Sequence, residues 1–460
     1  MAIQTINSAT NQVVCSFEEM TDPAIDAAVA QAATAFDAWK TTAYPHRAAL
    51  LHRVADGLRA QKRALATLIT LEMGKLLAQA EGEISLSADI FDYYASHGAE
   101  FLADETLSPA FGSAVVRPSP VGVLLGVEPW NFPFYQVARF AAPNLMIGNV
   151  VLVKHASNVP QCAIAIERIF HEAGGAAGLY TNLLLSGARA SALVGDPRIK
   201  GVSLTGSEAA GASVAAEAGK NLKKSVLELG GSDAFIVLED ADIDQAVRWA
   251  VVGRTNNNGE CCVAAKRFIV VEAVADEFLQ KFKVQLGQLK VGDPMDPATE
   301  LGPMSSEVAA AQLAEQVQRA VHDGAQVLLG GHRVAGPGAF IEPTILGGLT
   351  SAMPVYYEEL FGPVAAFCRV ADEAAAIVLA NDSPFGLGGS VFTQDVSRGQ
   401  RVADQLDTGM VFINHPTWTQ ADLPFGGTKG SGYGRELAAL GIEEFVNKKL
   451  IRVSALTDPF

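Results

Sequence analysis

The chain has 460 residues, of which 49% are hydrophobic and 18% charged, so it is long enough for two or three domains with large buried interiors. Its formal net charge of −16, without a dense lysine and arginine cluster, excludes nucleic acid as an expected partner, because a phosphate backbone would be repelled. The first residues show neither a basic start nor an apolar run, and no apolar stretch reaches the length of a membrane span, so we expect a cytoplasmic protein without membrane contact.

Helical patterns open the chain, and strands alternating with helices follow. Ile25–Trp39 and Pro45–Ile69 carry apolar residues at helical spacing. The next run of predicted strands is Val121–Val127, Asn149–Lys154, Thr181–Leu185, Gly201–Leu204 and Val226–Leu229, with helices at Val159–Ala173 and Glu208–Gly219. Such alternation predicts an α/β fold with a doubly wound parallel sheet.

A second α/β run begins at Ala234–Leu238, and the segment Gly230–Asp233 before it is the best candidate for a domain junction. The run continues through Ala241–Gly253, Arg267–Val271, Asp276–Leu289 and Ser305–Gly324. The tail from Lys448 to Val453 predicts an edge strand, and an edge must be paired or protected. A strand at this position therefore suggests pairing with a partner subunit.

Cys261 and Cys262 are the nucleophile candidates among the five cysteines. They follow the polar, glycine-broken segment Asn256–Glu260, which predicts a loop or the entry to a helix. A helix N-terminus would favour a thiolate, because backbone dipoles lower the pKa of a thiol there. Two small buried residues are the commoner role of cysteine, so the local pattern leaves both interpretations open. The absence of a C-x-x-C pair predicts free thiols and no zinc or other metal site.

Two further polar residues stand where apolar strands end. Glu228 closes an apolar run before two glycines, where an open α/β sheet places ligands, and burial there raises the pKa of a carboxylate enough for a general base. Asn131 lies in the proline-bounded loop Pro129–Pro133, and its amide is able to stabilise an oxyanion. A salt bridge or helix cap for the glutamate, and a structural turn for the asparagine, are the alternatives.

Together these motifs resemble the aldehyde dehydrogenase superfamily over essentially the whole chain. The matching motifs, in order, are Pro129–Pro133, the strand ending in Lys154, Thr205–Ser207, Glu228–Gly231, Gly259–Cys262, Glu359–Val364 and Pro424–Gly427. The resemblance implies two doubly wound α/β domains plus a small β oligomerisation element, in a homodimer or homotetramer. It implies a cofactor-binding domain at 1–107 and 128–232, a catalytic domain at 233–427, and the oligomerisation element at 108–127 and 428–460.

The resemblance also implies a role for each candidate residue. Cys262 would add to the aldehyde carbon, Asn131 and the Cys262 backbone N–H would hold the oxyanion, and hydride would pass to a nicotinamide cofactor. Glu228 would then activate the water that releases the acid from the thioester. The positions that match cofactor contacts are Trp130, Lys154, Gly206, Ser207, Leu229, Glu359 and Phe361. Ser232 and Thr255 depart from the family's usual residues, and neither does chemistry.

Ser157 predicts a preference for NADP, with NAD possible. Many NAD-using relatives carry a glutamate three residues after the strand-end lysine, where its carboxylate would repel a 2′-phosphate. Here a serine hydroxyl is able to donate to that phosphate, and Lys154 supplies charge. The alternative is that Ser157 only caps the following helix.

Four residues predict the substrate, a short aldehyde with a distal carboxylate, succinic semialdehyde first. Gln136 and Arg139 share one face of the helix after Pro133, and Thr419 and Phe425 lie on the opposite wall by family analogy. A structural ion pair is the alternative role for Arg139. Alternative functions are the non-phosphorylating oxidation of glyceraldehyde 3-phosphate, a general aldehyde dehydrogenase, and a non-catalytic structural protein that retains the fold.

Overall fold

A hairpin and four helices form the amino-terminal part of the chain in the computed structural model, which describes residues 3–458. The elements are β1 (Ile3–Asn7), β2 (Gln12–Phe17), α1 (Asp22–Trp39), α2 (Tyr44–Ala60), α3 (Lys62–Met73) and α4 (Leu77–Phe101). The predicted helix Pro45–Ile69 is two helices, because Gln61 leaves helical geometry at φ −104° and ψ 11°. The long helix α4 was not predicted.

The first large sheet contains the predicted parallel strands. Its region comprises β3 (Glu105–Leu107), β4 (Ser113–Pro120), β5 (Val123–Glu128), α5 (Tyr135–Ile147), β6 (Val150–His155), α6 (Pro160–Glu172), β7 (Tyr180–Asn182), α7 (Gly187–Leu193), β8 (Ile199–Thr205), α8 (Glu208–Lys220) and β9 (Lys224–Glu228). The strands pair in the order β9-β8-β5-β6-β7, all parallel. The predicted doubly wound parallel sheet is confirmed.

A second parallel sheet follows at once. Its region comprises β10 (Asp233–Val237), α9 (Ile243–Thr255), β11 (Ala265–Val271), α10 (Glu272–Gly287), α11 (Glu307–His322), β12 (Gln326–Leu329), β13 (Thr344–Gly347), β14 (Val364–Val370), α12 (Glu373–Asn381), β15 (Phe385–Gly386), β16 (Gly389–Phe392), α13 (Val396–Ala403) and β17 (Phe412–Ile413). The order is β12-β13-β14-β11-β10-β16-β17, with only β12 antiparallel. The junction predicted at 230–233 lies between the two sheets.

The carboxyl-terminal segment returns to the first half of the chain. It contains β18 (Thr428–Lys429), β19 (Gly432–Tyr433), α14 (Ala438–Ile442) and β20 (Val446–Val453). Strand β20 pairs with β4 along its whole length, and β3 completes this small three-stranded sheet. Strand β19 instead adds to β9 at the edge of the first large sheet.

These pairings correct the predicted domain boundaries. Strand β5 lies between β8 and β6, so residues 123–127 belong to the first large sheet and not to the oligomerisation element. Strand β3 pairs with β4, so 105–107 belong to the small sheet. Residues 432–433 pair with the first large sheet. A strand belongs to the sheet that satisfies its backbone hydrogen bonds, and composition alone does not identify that sheet.

Parallel pairing also explains where the candidate residues meet. The carboxyl ends of β5, β6, β8 and β9 lie at the same edge of the first large sheet. The loop with Asn131 follows β5, Lys154 lies near the end of β6, Gly206 follows β8, and Glu228 ends β9. This edge is where an open α/β sheet places its ligands.

Candidate active site

Cys262 lies in a turn that leads into strand β11 and not at a helix N-terminus, which corrects one of the two alternatives that we considered. Helix α9 ends at Thr255, and the chain then reverses through Asn257 and Asn258, both at φ 55°. Asparagine adopts this left-handed conformation more readily than most residues. The reversal leaves Cys262 partly exposed and Cys261 buried.

Side-chain charges take the place of the expected helix dipole at the nucleophile. The hydrogen bond with the Cys261 thiol, together with burial, raises the pKa of the Cys262 thiol. The positive charges of Arg139 and Lys266 act in the opposite direction and favour the thiolate. The reactive form of Cys262 therefore depends on these two cations.

The loop that carries Asn131 is held from both sides by a buried ion pair. Lys75 and Glu83 pair with their side chains 1% exposed, and the Lys75 ammonium also donates to the backbone oxygen of Asn131 at 2.9 Å. The Glu83 carboxylate accepts the N–H groups of Phe134 at 2.8 Å and Tyr135 at 3.2 Å. Together the pair fixes the loop and the start of α5.

The Asn131 side chain is positioned to donate toward the nucleophile loop. Its Nδ2 donates to the backbone oxygen of Glu260 at 3.2 Å, and Asn257 Nδ2 donates to the same oxygen at 2.8 Å. Because an amide has two N–H donors, one donor of Asn131 stays available for an oxyanion.

Glu228 is a buried carboxyl group of the kind that general-base catalysis requires. It is 2% exposed, and within residues 3–458 neither of its oxygens has a hydrogen-bond partner. Burial raises the pKa of Glu228 to about 8, although Arg139 lowers it and Glu436 raises it further. Three residues after Glu228 the chain reaches Gly231, where an added Cβ would lie 2.5 Å from the backbone oxygen of Cys262. Only glycine permits this approach of the base-bearing strand to the nucleophile turn.

The Arg139 side chain, predicted to read a substrate carboxylate, is bound by partners within the chain. The side chain is fully buried and forms an ion pair with Glu436. Its remaining donors reach the Tyr135 hydroxyl at 3.2 Å and Thr205 Oγ1 at 3.1 Å, and its guanidinium lies 4.5 Å from the centre of the Phe425 ring. The structural ion pair that we held as the alternative is therefore the observed state.

A cavity of about 290 Å³ opens beside Cys262. Its lining includes three of the four predicted substrate residues, Gln136, Thr419 and Phe425. Gln136 is 1% exposed, and no described residue binds its carboxamide oxygen. The Thr419 hydroxyl lies 2.7 Å from that of Tyr135. Polar groups without strong partners in a mostly apolar cavity are a typical binding arrangement.

The predicted 2′-phosphate contacts lie at the carboxyl end of β6. Lys154 is 8% exposed, and within the described chain its ammonium makes no ion pair. Ser157 is not the cap of α6, because the residue at the N-cap is Val159 and no side chain caps that helix. This geometry removes the alternative role that we considered for the serine.

A second cavity, of about 390 Å³, is lined by three of the other predicted cofactor residues. Trp130 packs edge-to-face on Phe361 with ring centres 5.8 Å apart, and both line this cavity with Glu359. Glu359 Oε1 accepts the N–H of Gly231 at 3.0 Å and pairs with Lys266 at 2.8 Å.

Three more predicted positions shape the edge of the sheet instead of this cavity. Ser207 accepts a hydrogen bond from Ala210 at the start of α8, and the N–H of Gly206 donates to the backbone oxygen of Glu228. Leu229 is buried against Gly211 of the same helix, where an added Cβ would approach it to 2.6 Å. These contacts fix the end of β9, which carries the base.

Sequence reasoning missed several residues of the site. Lys75, Glu83 and Lys266 are charged side chains at positions of almost complete burial. The available signal was a charge within an apolar run, as in Met73–Leu77 and Val263–Val271. It was not decisive, because most of the partners of these charges are distant in sequence or belong to the backbone.

Comparison with known proteins gives one consistent result. The model of the aldehyde dehydrogenase family matches residues 1–451. A succinate-semialdehyde dehydrogenase [NADP(+)] of Deinococcus radiodurans is 52% identical over 97% of this chain and 94% of its own length. One from Mycobacterium tuberculosis is 46% identical over 99% of this chain and all of its own.

A solved structure agrees with these sequence relatives. The succinic semialdehyde dehydrogenase from Streptococcus pyogenes, in complex with NADP+, is 45% identical. The match has a TM-score of 0.97 over 99% of this chain and 100% of that one. Among residues 3–458, no helix is both long enough and apolar enough to cross a bilayer.

Proposed function

The chain belongs to the aldehyde dehydrogenase family, and from this premise we propose that it oxidises succinic semialdehyde to succinate with NADP as the hydride acceptor. The observation that carries the proposal is the partly exposed Cys262 at the wall of the 290 Å³ cavity, with Asn131 and Glu228 buried nearby. Relatives of 46% to 52% identity carry this activity in their names.

The residues present fit the 2′-phosphate of NADP. Within residues 3–458 the Lys154 ammonium makes no ion pair, although the more distant charge of Glu19 partly offsets the burial that lowers its pKa, and a 2′-phosphate would supply a direct counter-ion. Ser157 places a hydroxyl three residues further along, and no carboxylate occupies that position. Trp130, Glu359 and Phe361 would hold the nicotinamide end in the second cavity.

The substrate cavity fits a short chain with a polar end. Its volume of about 290 Å³ suits a small molecule, and Phe425 and Phe132 supply apolar walls for methylene groups. The amide nitrogen of Gln136 and the Thr419 hydroxyl, both at the cavity wall, are donors for a distal carboxylate. Arg139 acts behind them, because it binds the Tyr135 hydroxyl that contacts Thr419.

The mechanism follows from the chain's own groups. The Cys262 thiolate attacks the aldehyde carbon, and the free N–H donor of Asn131 stabilises the oxygen that becomes negative. Bound NADP would supply the hydride acceptor, and loss of hydride from that carbon would leave a thioester on Cys262. Glu228 takes a proton from the water that attacks this thioester, and the acid departs as Cys262 regains its thiolate.

Two other functions have less support. Binding of glyceraldehyde 3-phosphate would require more cationic groups than the cavity offers, because its one lysine, Lys75, already pairs with Glu83. A purely structural role would not need a nucleophile, an oxyanion donor and a base kept together in one place.

A panel of substrates and variants tests the proposal. We expect kcat/KM to be at least about tenfold higher for succinic semialdehyde than for butanal, and higher for NADP than for NAD. Ser157→Glu should reverse the cofactor preference, with Ser157→Ala as the matched control that adds no charge. Gln136→Met should raise KM for succinic semialdehyde and change it little for butanal. Equal values for both aldehydes would overturn the substrate assignment, and an NAD preference would overturn the cofactor assignment.

We also propose that the protein is a homodimer or homotetramer assembled through the small sheet. Strand β20 is an edge of that sheet, and Leu450 and Val453 on it are 61% and 63% exposed. An exposed apolar edge favours pairing with another chain, and a second copy supplies a complementary edge.

A further inference from the structure

Lys266 is a buried lysine whose side chain contacts the turn that carries Cys261 and Cys262 (the nucleophile turn). It is the second residue of β11, and its side chain is 1% exposed. The ammonium donates to the backbone oxygens of Cys262 at 2.6 Å and Cys261 at 2.9 Å, and it pairs with Glu359 at 2.8 Å. Since an ammonium has three N–H donors, all of them are used.

The bond to the Cys261 carbonyl has a consequence on the other side of the same peptide. A peptide unit is planar and trans, so the direction of the Cys261 C=O fixes the direction of the Cys262 N–H. Within residues 3–458 this N–H donates no hydrogen bond, which leaves it free to bind an oxyanion beside Asn131. A positive charge on the carbonyl also polarises the peptide and strengthens its N–H as a donor.

The bond to the Cys262 carbonyl fixes the next peptide in the same way. That oxygen accepts a hydrogen bond from the Lys266 ammonium. On its other side is Gly231, where an added Cβ would lie only 2.5 Å from the oxygen. The nucleophile turn is therefore held by the second sheet through Lys266 and confined by the first through Gly231.

The third bond reaches the cofactor cavity. Glu359 Oε1 is shared between Lys266 and the N–H of Gly231, while Glu359 lines the cavity with Trp130 and Phe361. A buried ammonium is costly unless it is paired, and this carboxylate supplies the compensation. One side chain thus contacts both the nucleophile turn and a wall of the cofactor cavity.

We propose that Lys266 is a positioning residue that orients the Cys262 N–H as an oxyanion donor and fixes Glu359 toward the cofactor. The proposal rests on the oxidation assigned above, and one of its measurements requires no substrate. Lys266 contacts the two cysteine peptides and Glu359 directly, and its positive charge also favours the Cys262 thiolate.

The first test is alkylation of Cys262 by iodoacetamide in the free enzyme, followed over pH, with Cys261→Ala as the background. Lys266→Met removes the charge and keeps the length of the stem, so the alkylation profile should move to higher pH. Glu359→Gln removes the opposite charge and should not move it in that direction. Lys266→Arg should lie close to the parent, and Lys281→Met, which loses an exposed ion pair, should match it. A structural defect would shift the alkylation profiles of Lys266→Met and Glu359→Gln in the same direction.

The second test is the burst of NADPH formation at saturating NADP. Loss of a whole oxyanion donor costs about 10²–10³ in rate, so a misoriented donor in Lys266→Met should slow the burst by about tenfold or more. In a double-mutant cycle, the effects of Lys266→Met and Glu359→Gln on the NADP dissociation constant should not be additive. A wild-type burst together with an unshifted alkylation profile in folded Lys266→Met would overturn the proposal. If that variant does not fold, Lys266→Gln takes its place. Failure of succinic semialdehyde as substrate would leave the alkylation result standing.

Discussion

Two adjacent thiols at the nucleophile position have different surroundings. Cys262 is partly exposed to the cavity, whereas Cys261 is 5% exposed and packs in the core of the first half of the chain. We expect Cys262→Ala to abolish oxidation and retain NADP binding, and Cys261→Ala to keep most of the turnover. Steady-state assays with a fluorescence titration of NADP check both variants. An inactive Cys261→Ala beside an active Cys262→Ala would reverse the assignment.

The role of Glu228 as general base should be measurable in thioester hydrolysis, the step after hydride transfer. Because burial raises the pKa of Glu228 to about 8, the carboxylate that accepts a proton from water becomes populated only as pH rises toward that value. Thioester hydrolysis should therefore accelerate with pH and level off above about pH 8. In Glu228→Gln, rapid mixing should give a burst of NADPH followed by slow turnover that no longer follows this titration. A variant with wild-type steady-state turnover would exclude the role of general base.

Arg139 shows what residue-scale reasoning could and could not reach. The motifs predicted roles for Cys262, Glu228 and Asn131 from local sequence, but the partner of Arg139 is Glu436, at the far end of the chain. A helix-face pattern describes only the residues on that helix, so it favoured a substrate contact.

The buried pair gives a prediction of its own. Arg139→Met leaves Glu436 buried without a counter-ion and should cost about 3–5 kcal/mol of unfolding free energy. It also removes the charge that lowers the pKa of Glu228, so the pH profile of thioester hydrolysis should move upward. Thermal unfolding and the pH profile measure the two effects. Adding Glu436→Gln should recover part of the stability, and a fully stable single variant would contradict the pairing.

At the scale of elements, the apolar strands were predictable and one long helix was not. Strands such as β6 and β10 are buried throughout, and a continuous apolar run within each indicates this directly. Helix α4 buries Glu83 and Ser87 among its apolar residues, so its sequence lacks a clean apolar stripe. The buried charge of Glu83 is explained only by its contacts with Lys75 and with the segment that follows the Asn131 loop.

Helix α4 also carries a residue suited to change the substrate range. Gly82 lines the substrate cavity, and an added Cβ there would meet no atom within 4 Å. Gly82→Leu should narrow the cavity and raise KM for bulky aldehydes more than for short ones. Gly219 of α8 is likewise open but does not line the cavity, so Gly219→Leu is the matched control. Helices α4 and α8 should each tolerate the substitution by leucine. Equal KM changes in the two variants would contradict a steric role for position 82.

At the scale of the whole molecule, the two parallel sheets and the small sheet were foreseen, whereas their exact membership was not. The prediction of parallel sheets rests on the alternation of strands and helices along the chain. The membership of each sheet depends on pairings between distant segments, such as β19 with β9. No local pattern carries that information, because Gly432–Tyr433 is too short to show a strand period.

The exposed edge of β20 yields a prediction about assembly. Leu450→Lys combined with Val453→Lys places charges on the apolar edge and should shift the oligomer toward smaller species in sedimentation velocity. Val284→Lys, at a 50% exposed site on α10, is the matched control. An unchanged sedimentation coefficient in the edge variant would place the subunit interface elsewhere.

The return of the last segment to β9 bears on how the protein is made. Strand β9 ends in Glu228, and within residues 3–458 its outer edge pairs only with Gly432–Tyr433. During synthesis, the first sheet therefore keeps an open edge until these two residues have emerged. A chain released before that point would contain Cys262, Glu228 and Asn131, yet it would leave the edge of β9 free to pair with another chain. Protection of this edge from aggregation therefore depends on residues 432–433.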